Sequence, residues 1–270
     1  MSADSSRPLR ARFPAYLPVA GAAEGKPGAT AARPARMPAV AARKPTQGGH
    51  PVSMPTGNGL DSQAVCARMV ERLRAMGGLE QTVLEAMLSV PRHLFLEPGL
   101  GAQAYSDNAL PIGHGQTISK PSVVARCASV LLQSLGARPE RVLEIGTGCG
   151  YQAAILSRIA GEVYSIERIR ALHELARTNL RALRLPNLRL LLGDGTTGAA
   201  CGAPFDAVLS AAASPDVPAQ WLQQLRIGGV VLAPVGHPQR LMAYRKHVGG
   251  KIESWCVEDA HFVPLKSGVL

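Results

Sequence analysis

Aromatic residues make up only 4% of this 270-residue chain, and its basic residues are concentrated in a segment with little capacity to fold. Of the net charge of +10, residues 1–60 carry +6, with eight Lys/Arg against two Asp/Glu, leaving +4 for the rest. A nucleic-acid enzyme needs an aromatic stacking platform or a basic groove, and neither is present in the near-balanced remainder. Five cysteines (Cys66, Cys127, Cys149, Cys201 and Cys256) form no C-x-x-C pair, and the seven histidines include no H-E-x-x-H. That excludes a disulfide framework and a zinc site, and is the pattern of reduced thiols in a cytoplasmic protein. No metal is expected. No apolar run approaches the roughly 18 residues that a membrane helix requires, so nothing is expected to span a bilayer.

Residues 1–60 are rich in Ala, Pro, Arg and Gly, contain nine of the 21 prolines and show no sustained periodicity. Such a segment cannot bury enough apolar surface to offset its ordering entropy, and it is expected to be a disordered tail. Its poverty in acids has a transit-peptide flavour, set against a plain N-terminal extension or a misplaced start. Residues 61–270 form the expected folded domain. Asp61 is a plausible N-cap for a helix bearing Val65, Met69, Val70 and Leu73. A second helix over 80–89 follows the stop at Gly77-Gly78, and the two read as a small lid-like cap.

The chain is organised around Val142 to Glu167. An apolar run breaks into three alternate glycines, Gly146, Gly148 and Gly150, and helical spacing then begins at Ala153. That is a strand, a tight turn and a helix, with glycines where a ligand must approach the main chain. A second apolar run ends in Glu167, 21 residues past Gly146, where a carboxylate can accept both hydroxyls of a ribose. The acid at Glu144, two residues before the first glycine, would repel a diphosphate and suits a ligand with a cationic group, such as S-adenosylmethionine. Its alternative role is to cap amides of the glycine loop.

Downstream, strands are expected at 141–146, 162–167, 188–193, 205–211 and 229–235, with helices at 150–159, 169–184 and 216–225. Strands separated by helices imply an α/β fold, a doubly wound and mainly parallel Rossmann-like sheet, with its ligand at the strands' C-terminal ends. Two further strand-like runs, 241–247 and 252–262, are joined by Gly249-Gly250 and give an antiparallel C-terminal edge. Upstream, residues 105–119 read as a long functional loop leading to a helix over 121–135. Ser119 thus lies at or just before a helix N-terminus, where its ordinary role is that of an N-cap.

These motifs resemble those of the protein-L-isoaspartate O-methyltransferases. The resemblance covers about residues 79–265 and rests on Val90-Pro91-Arg92, on Leu110 to Ser119, on Val142 to Tyr151, on Gly193-Asp194-Gly195 and on Phe262-Val263-Pro264-Leu265. It implies transfer of a methyl group from S-adenosylmethionine to the α-carboxylate of L-isoaspartyl residues in damaged proteins. Ser119 and Thr117 are then the catalytic residues. Glu144, Gly146, Gly148, Gly150, Glu167, Asp194 and Gly195 hold the cofactor, while Gln116, Ile118, Ala212 and Ala213 meet the substrate. A monomer acting on isoaspartyl proteins and peptides is expected. The chain departs from the family at Cys149, often Ser, at Lys120, often Gln, and at Ala211 and Ser214 within a segment that often reads Thr-Ala-Ala-Pro. The alternative is a methyltransferase of the same fold acting on a small molecule or a nucleic acid.

Overall fold

The computed structural model describes residues 62–270, so the tail and the Asp61 cap lie outside the described residues. Two helices, α1 (Ser62–Met76) and α2 (Gln81–Ser89), lead into a hairpin of β1 (Leu110–Gly113) and β2 (Gln116–Ile118). Then come α3 (Pro121–Leu135), β3 (Arg141–Ile145), α4 (Tyr151–Ile159), β4 (Glu162–Glu167), α5 (Arg170–Arg181) and β5 (Leu188–Leu192). The chain continues through β6 (Phe205–Ser210), α6 (Ala219–Gln223), β7 (Leu225–Val235), β8 (Arg240–Lys246) and β9 (Ile252–Asp259).

The main sheet has seven strands in the order β5-β4-β3-β6-β7-β8-β9. Its first five members are parallel, and β8 and β9 extend it antiparallel, so the expected doubly wound architecture is what forms. The order in which strands are added reverses between β3 and β6, which is where a doubly wound sheet opens a crevice. On one face Val142, Ala207, Leu209, Val230 and Leu232 pack with α1 to α5 in a single core. On the other, Leu143, Ile145, Val208 and Val231 surround the fully buried Trp221 of α6. Cys66, Met69, Val70 and Leu73 of α1 and Val83, Leu84 and Met87 of α2 belong to the first core. These helices pack against α3 and α4 as the expected N-terminal helical cap, and none of their residues lines the crevice described below, so the cap is not a lid over it.

Several boundaries moved for identifiable reasons. The expected loop at 105–119 contains the β1–β2 hairpin, closed by His114 (φ 53°) and Gly115 (φ 67°). Two successive positive φ values match the right-handed twist of paired strands, and a histidine in that conformation gave no glycine-like signal. Helix α6 starts only after Pro218. Strand β7 starts early, before an irregularity opposite Phe205 and Ala207 where Gly228 (φ 81°) bends the chain.

Candidate active site

At the C-terminal ends of β3, β4 and β6 the chain leaves a crevice of about 920 Å3, counting its open mouth. The glycine loop forms one wall, with φ at Gly146, Gly148 and Gly150 of 91°, 56° and 93°. A Cβ on Gly148 would come within 3.2 Å of Ile112 Cδ1, and one on Gly195 within 2.6 Å of Ile145 Cγ2. The loop is tied to β4 by two amide bonds to the Ile166 carbonyl, 2.9 Å from Gly146 and 3.3 Å from Thr147. Glu167 completes the tie. Buried at the end of β4, its Oε2 accepts from the Gly148 amide and its Oε1 from the Ile169 amide, both at 2.9 Å.

The other end of the crevice is built by the hairpin. Gln116, Thr117, Ile118 and Ser119 line it, opposite Ala211 and Ala212 after β6. The Thr117 and Ser119 hydroxyls make no hydrogen bond within the described residues, while the Ser119 carbonyl accepts from Arg92 Nη2 at 2.7 Å. Ser119 is not the cap of α3. Lys120 occupies that position without a side-chain bond, and Asp107 does the capping, its Oδ1 accepting from the Ser122 amide and its Oδ2 from the Ser122 hydroxyl, each at 2.8 Å.

Four expected site residues do not line the crevice. Glu144 is wholly buried beside Ser165, which faces it in the β3–β4 register and donates to its Oε2 at 2.5 Å. The glycine-loop amide it was expected to cap goes to Glu167 instead. Burial pushes the Glu144 carboxyl up to about 8, with Ser165 and Gln152 opposing that rise, and its Oε1 has no hydrogen-bond partner. Thr147 Oγ1, 2.6 Å from Ser165 Oγ, joins this buried acid to the crevice wall. Gly150 is the N-cap of α4, seated over Leu180 of α5, where a Cβ would fall 2.8 Å from Leu180 Cδ1. Asp194 is engaged by backbone. Its Oδ1 accepts from the Thr196 amide and hydroxyl, and its Oδ2 from the Gly268 amide at 2.7 Å. Desolvation works to raise its pKa, but these donors and Arg168 hold it below the usual carboxylate range. Ala213 is a backbone anchor, donating to the Val263 carbonyl and accepting from the Leu265 amide.

The sequence reading assigned no site role to several residues that wall the crevice, among them Ile112, Thr147, Gln152, Arg168 and Lys266. The alternation of β1 would have indicated Ile112 once the hairpin was known. Val263 to Lys266 form a strap across the crevice, held beyond it by Arg168, whose side chain donates to the Gly268 and Ser267 carbonyls at 3.0 and 3.3 Å. Cys149 also lines the crevice, but burial raises its thiol to about 11, which leaves it a poor nucleophile. No cluster of three or more His, Cys, Asp or Glu able to hold a metal occurs among the described residues.

A parallel sheet that switches winding beside a glycine loop, with an acid ending the second strand, defines a nucleoside-binding fold of the Rossmann-like methyltransferase type. Residues 64–270 match the family model of protein-L-isoaspartate(D-aspartate) O-methyltransferase. The protein-L-isoaspartate O-methyltransferase of Burkholderia ambifaria is 51% identical over 99% of this chain and 89% of its own. That of Burkholderia mallei is 52% identical over 90% and 80%. A Plasmodium falciparum protein assigned to the same activity, solved with S-adenosyl-L-homocysteine, superposes with a TM-score of 0.66 over 74% of this chain and 98% of its own, at 22% identity. The chain belongs to the protein-L-isoaspartate(D-aspartate) O-methyltransferase family and is an enzyme of isoaspartyl protein repair.

Proposed function

We propose that methyl transfer takes place in this crevice, with the cofactor along the glycine loop and Glu167, and the isoaspartyl carboxylate at Thr117 and Ser119. The observation that carries the reading is that two unpaired hydroxyls and a glycine-lined, acid-ended strand crossing open into one cavity. The donor set fits S-adenosylmethionine. Gly146, Gly148 and Gly195 leave room that a Cβ would narrow, and each Glu167 oxygen, engaged by one amide, keeps a lone pair for a ribose hydroxyl. When bound, S-adenosylmethionine supplies a methyl group carried on a sulfonium, which is a good leaving group.

What remains for the chain is orientation. A carboxylate with a pKa near 4 is already ionised at neutral pH, so no general base is demanded. Thr117 and Ser119 can donate to its oxygens and aim one of them without neutralising the charge that attacks. Ile112, Val124, Ile145 and Leu265 supply apolar walls that keep water from competing. Asp194 acts through the loop it organises at Gly195, and Glu144 acts through Ser165 and Thr147. The unpaired thiols support a reducing, cytoplasmic setting, and polypeptide rather than nucleic acid is the acceptor.

Matched peptides that differ only in isoaspartate versus aspartate provide the test, with labelled S-adenosylmethionine as donor. The isoaspartyl peptide is expected to be methylated and its twin left untouched, since in the twin the α-carboxyl is tied up in the peptide bond and the free carboxylate is the side chain's, carried out of line by the methylene. Equal labelling of both would overturn the acceptor assignment.

A further inference from the structure

We propose that Arg92 is a positioning residue for methyl transfer, holding the acceptor segment that ends in Ser119 in register with the first turn of α4 behind the glycine loop. The inference rests on the reading of Thr117 and Ser119 as the acceptor end of the crevice. Arg92 has no exposed surface, and no carboxylate forms a salt bridge with it among the described residues. Burial lowers its pKa from the ordinary arginine value, yet a guanidinium stays charged in proteins. A cation buried without a carboxylate is costly unless its donors are used, and Nε and Nη2 are used here on the loops of the site.

Three features define the arrangement. Arg92 Nε donates to the Ala104 carbonyl at 2.8 Å and Nη2 to the Ser119 carbonyl at 2.7 Å, so one planar fork joins two segments 15 residues apart. The guanidinium lies over the Tyr151 ring, 4.8 Å from its centre, and Tyr151 is the first residue of α4 and lines the crevice. Arg92 Nη1 and the Tyr151 hydroxyl are both buried without a hydrogen-bond partner, so the guanidinium–ring contact is what engages this side of the fork. Holding Ser119 by its carbonyl leaves its hydroxyl free for the substrate.

The consequence is kinetic. Displacing a reacting group by about 1 Å can cost roughly a hundredfold in rate, so a fork that fixes Ser119 relative to Tyr151 acts on turnover rather than on cofactor affinity. Lysine keeps the charge but concentrates it at one nitrogen and cannot hold both carbonyls in a planar fork.

The test is a double-mutant cycle of Arg92→Lys with Ser119→Ala on the full chain, read as kcat for an isoaspartyl peptide and as the dissociation constant of S-adenosylmethionine by calorimetry. Arg92→Lys alone is expected to lower kcat roughly tenfold or more and leave the dissociation constant within about twofold, and to add little once Ser119 is alanine. Arg92→Gln, neutral and able to keep one donor, replaces the lysine variant if melting shows that it is unfolded. Additive losses, a matching loss of cofactor affinity or an unchanged kcat would each overturn the proposal. Normal turnover in Ser119→Ala alone would overturn both the role of Arg92 and the assignment of Ser119 to the acceptor, leaving Thr117 as the donor, whereas a slow Ser119→Ala with additive losses would overturn only the role of Arg92.

Discussion

Removing the Ser119 hydroxyl separates chemistry from folding, because the bonds that cap α3 come from Asp107 and none from Ser119. Ser119→Ala is expected to melt with the parent and to bind S-adenosylmethionine normally, while turnover falls about 10- to 100-fold, the equivalent of one positioned donor in the transition state. Slow turnover with an unchanged melting temperature would be the signature, and normal turnover would move suspicion to Thr117. Glu144 supplies the opposite case, a residue that acts on stability. Its carboxyl is raised to about 8 by burial, whereas an unfolded glutamate titrates near 4.3. Between those values the native state holds a proton that the unfolded state has lost, so this group lowers stability as pH rises from about 4.3 to about 8. Glu144→Gln, which still accepts from Ser165 and can pair with a turned Gln152 amide, is expected to flatten that decline. Thermal melts of the variant and the parent should converge near pH 4 and separate progressively up to about pH 8, with the variant the more stable; curves that stay parallel through that window would mean that the acid is ionised in the fold.

At the scale of elements, Asp107→Ala is expected to cost about 0.5–2 kcal/mol in denaturant unfolding, the usual worth of an N-cap, and to loosen the start of α3 beside Ser119. The parallel strands and their helices were legible because buried runs such as Val142 to Ile145 alternate with helical spacing, and three glycines with a terminal acid mark a ligand-facing turn. Other features depend on groups that meet only in three dimensions. Asp107 caps a helix whose second residue lies 15 positions downstream, whereas the local sequence offers Ser119 as the adjacent cap. Glu144 precedes the glycine loop and Glu167 ends the next strand, but alternation along β3 turns Glu144 into the core, while Glu167 stands at the end of β4 where an amide of the loop can reach it. The acid in Gly193-Asp194-Gly195 was legible as a loop residue, but its bond to Gly268, 74 residues on, was not.

Across the whole molecule, the segment after β9 returns to the site it helped to define in sequence. Val263 to Lys266 wall the crevice, Gly268 reaches Asp194, and Leu270 exchanges backbone bonds at 2.8 Å with Arg168 and Arg170 at the start of α5. Deleting residues 267–270 removes these anchors while leaving both cores intact. Calorimetry is expected to show S-adenosylmethionine bound roughly tenfold more weakly, as losing one or two positioned hydrogen bonds implies, with melting little changed. An unchanged dissociation constant would show that the strap is passive. The opposite border of the molecule faces a different demand. Among the described residues strand β9 has one side of its backbone unpaired, and it carries Glu253, Glu258 and Asp259, all exposed, alongside His247, Arg126 and Arg240. Charged side chains on an edge strand discourage intermolecular pairing. On an enzyme of isoaspartyl protein repair, that charged margin works against strand addition by a polypeptide substrate.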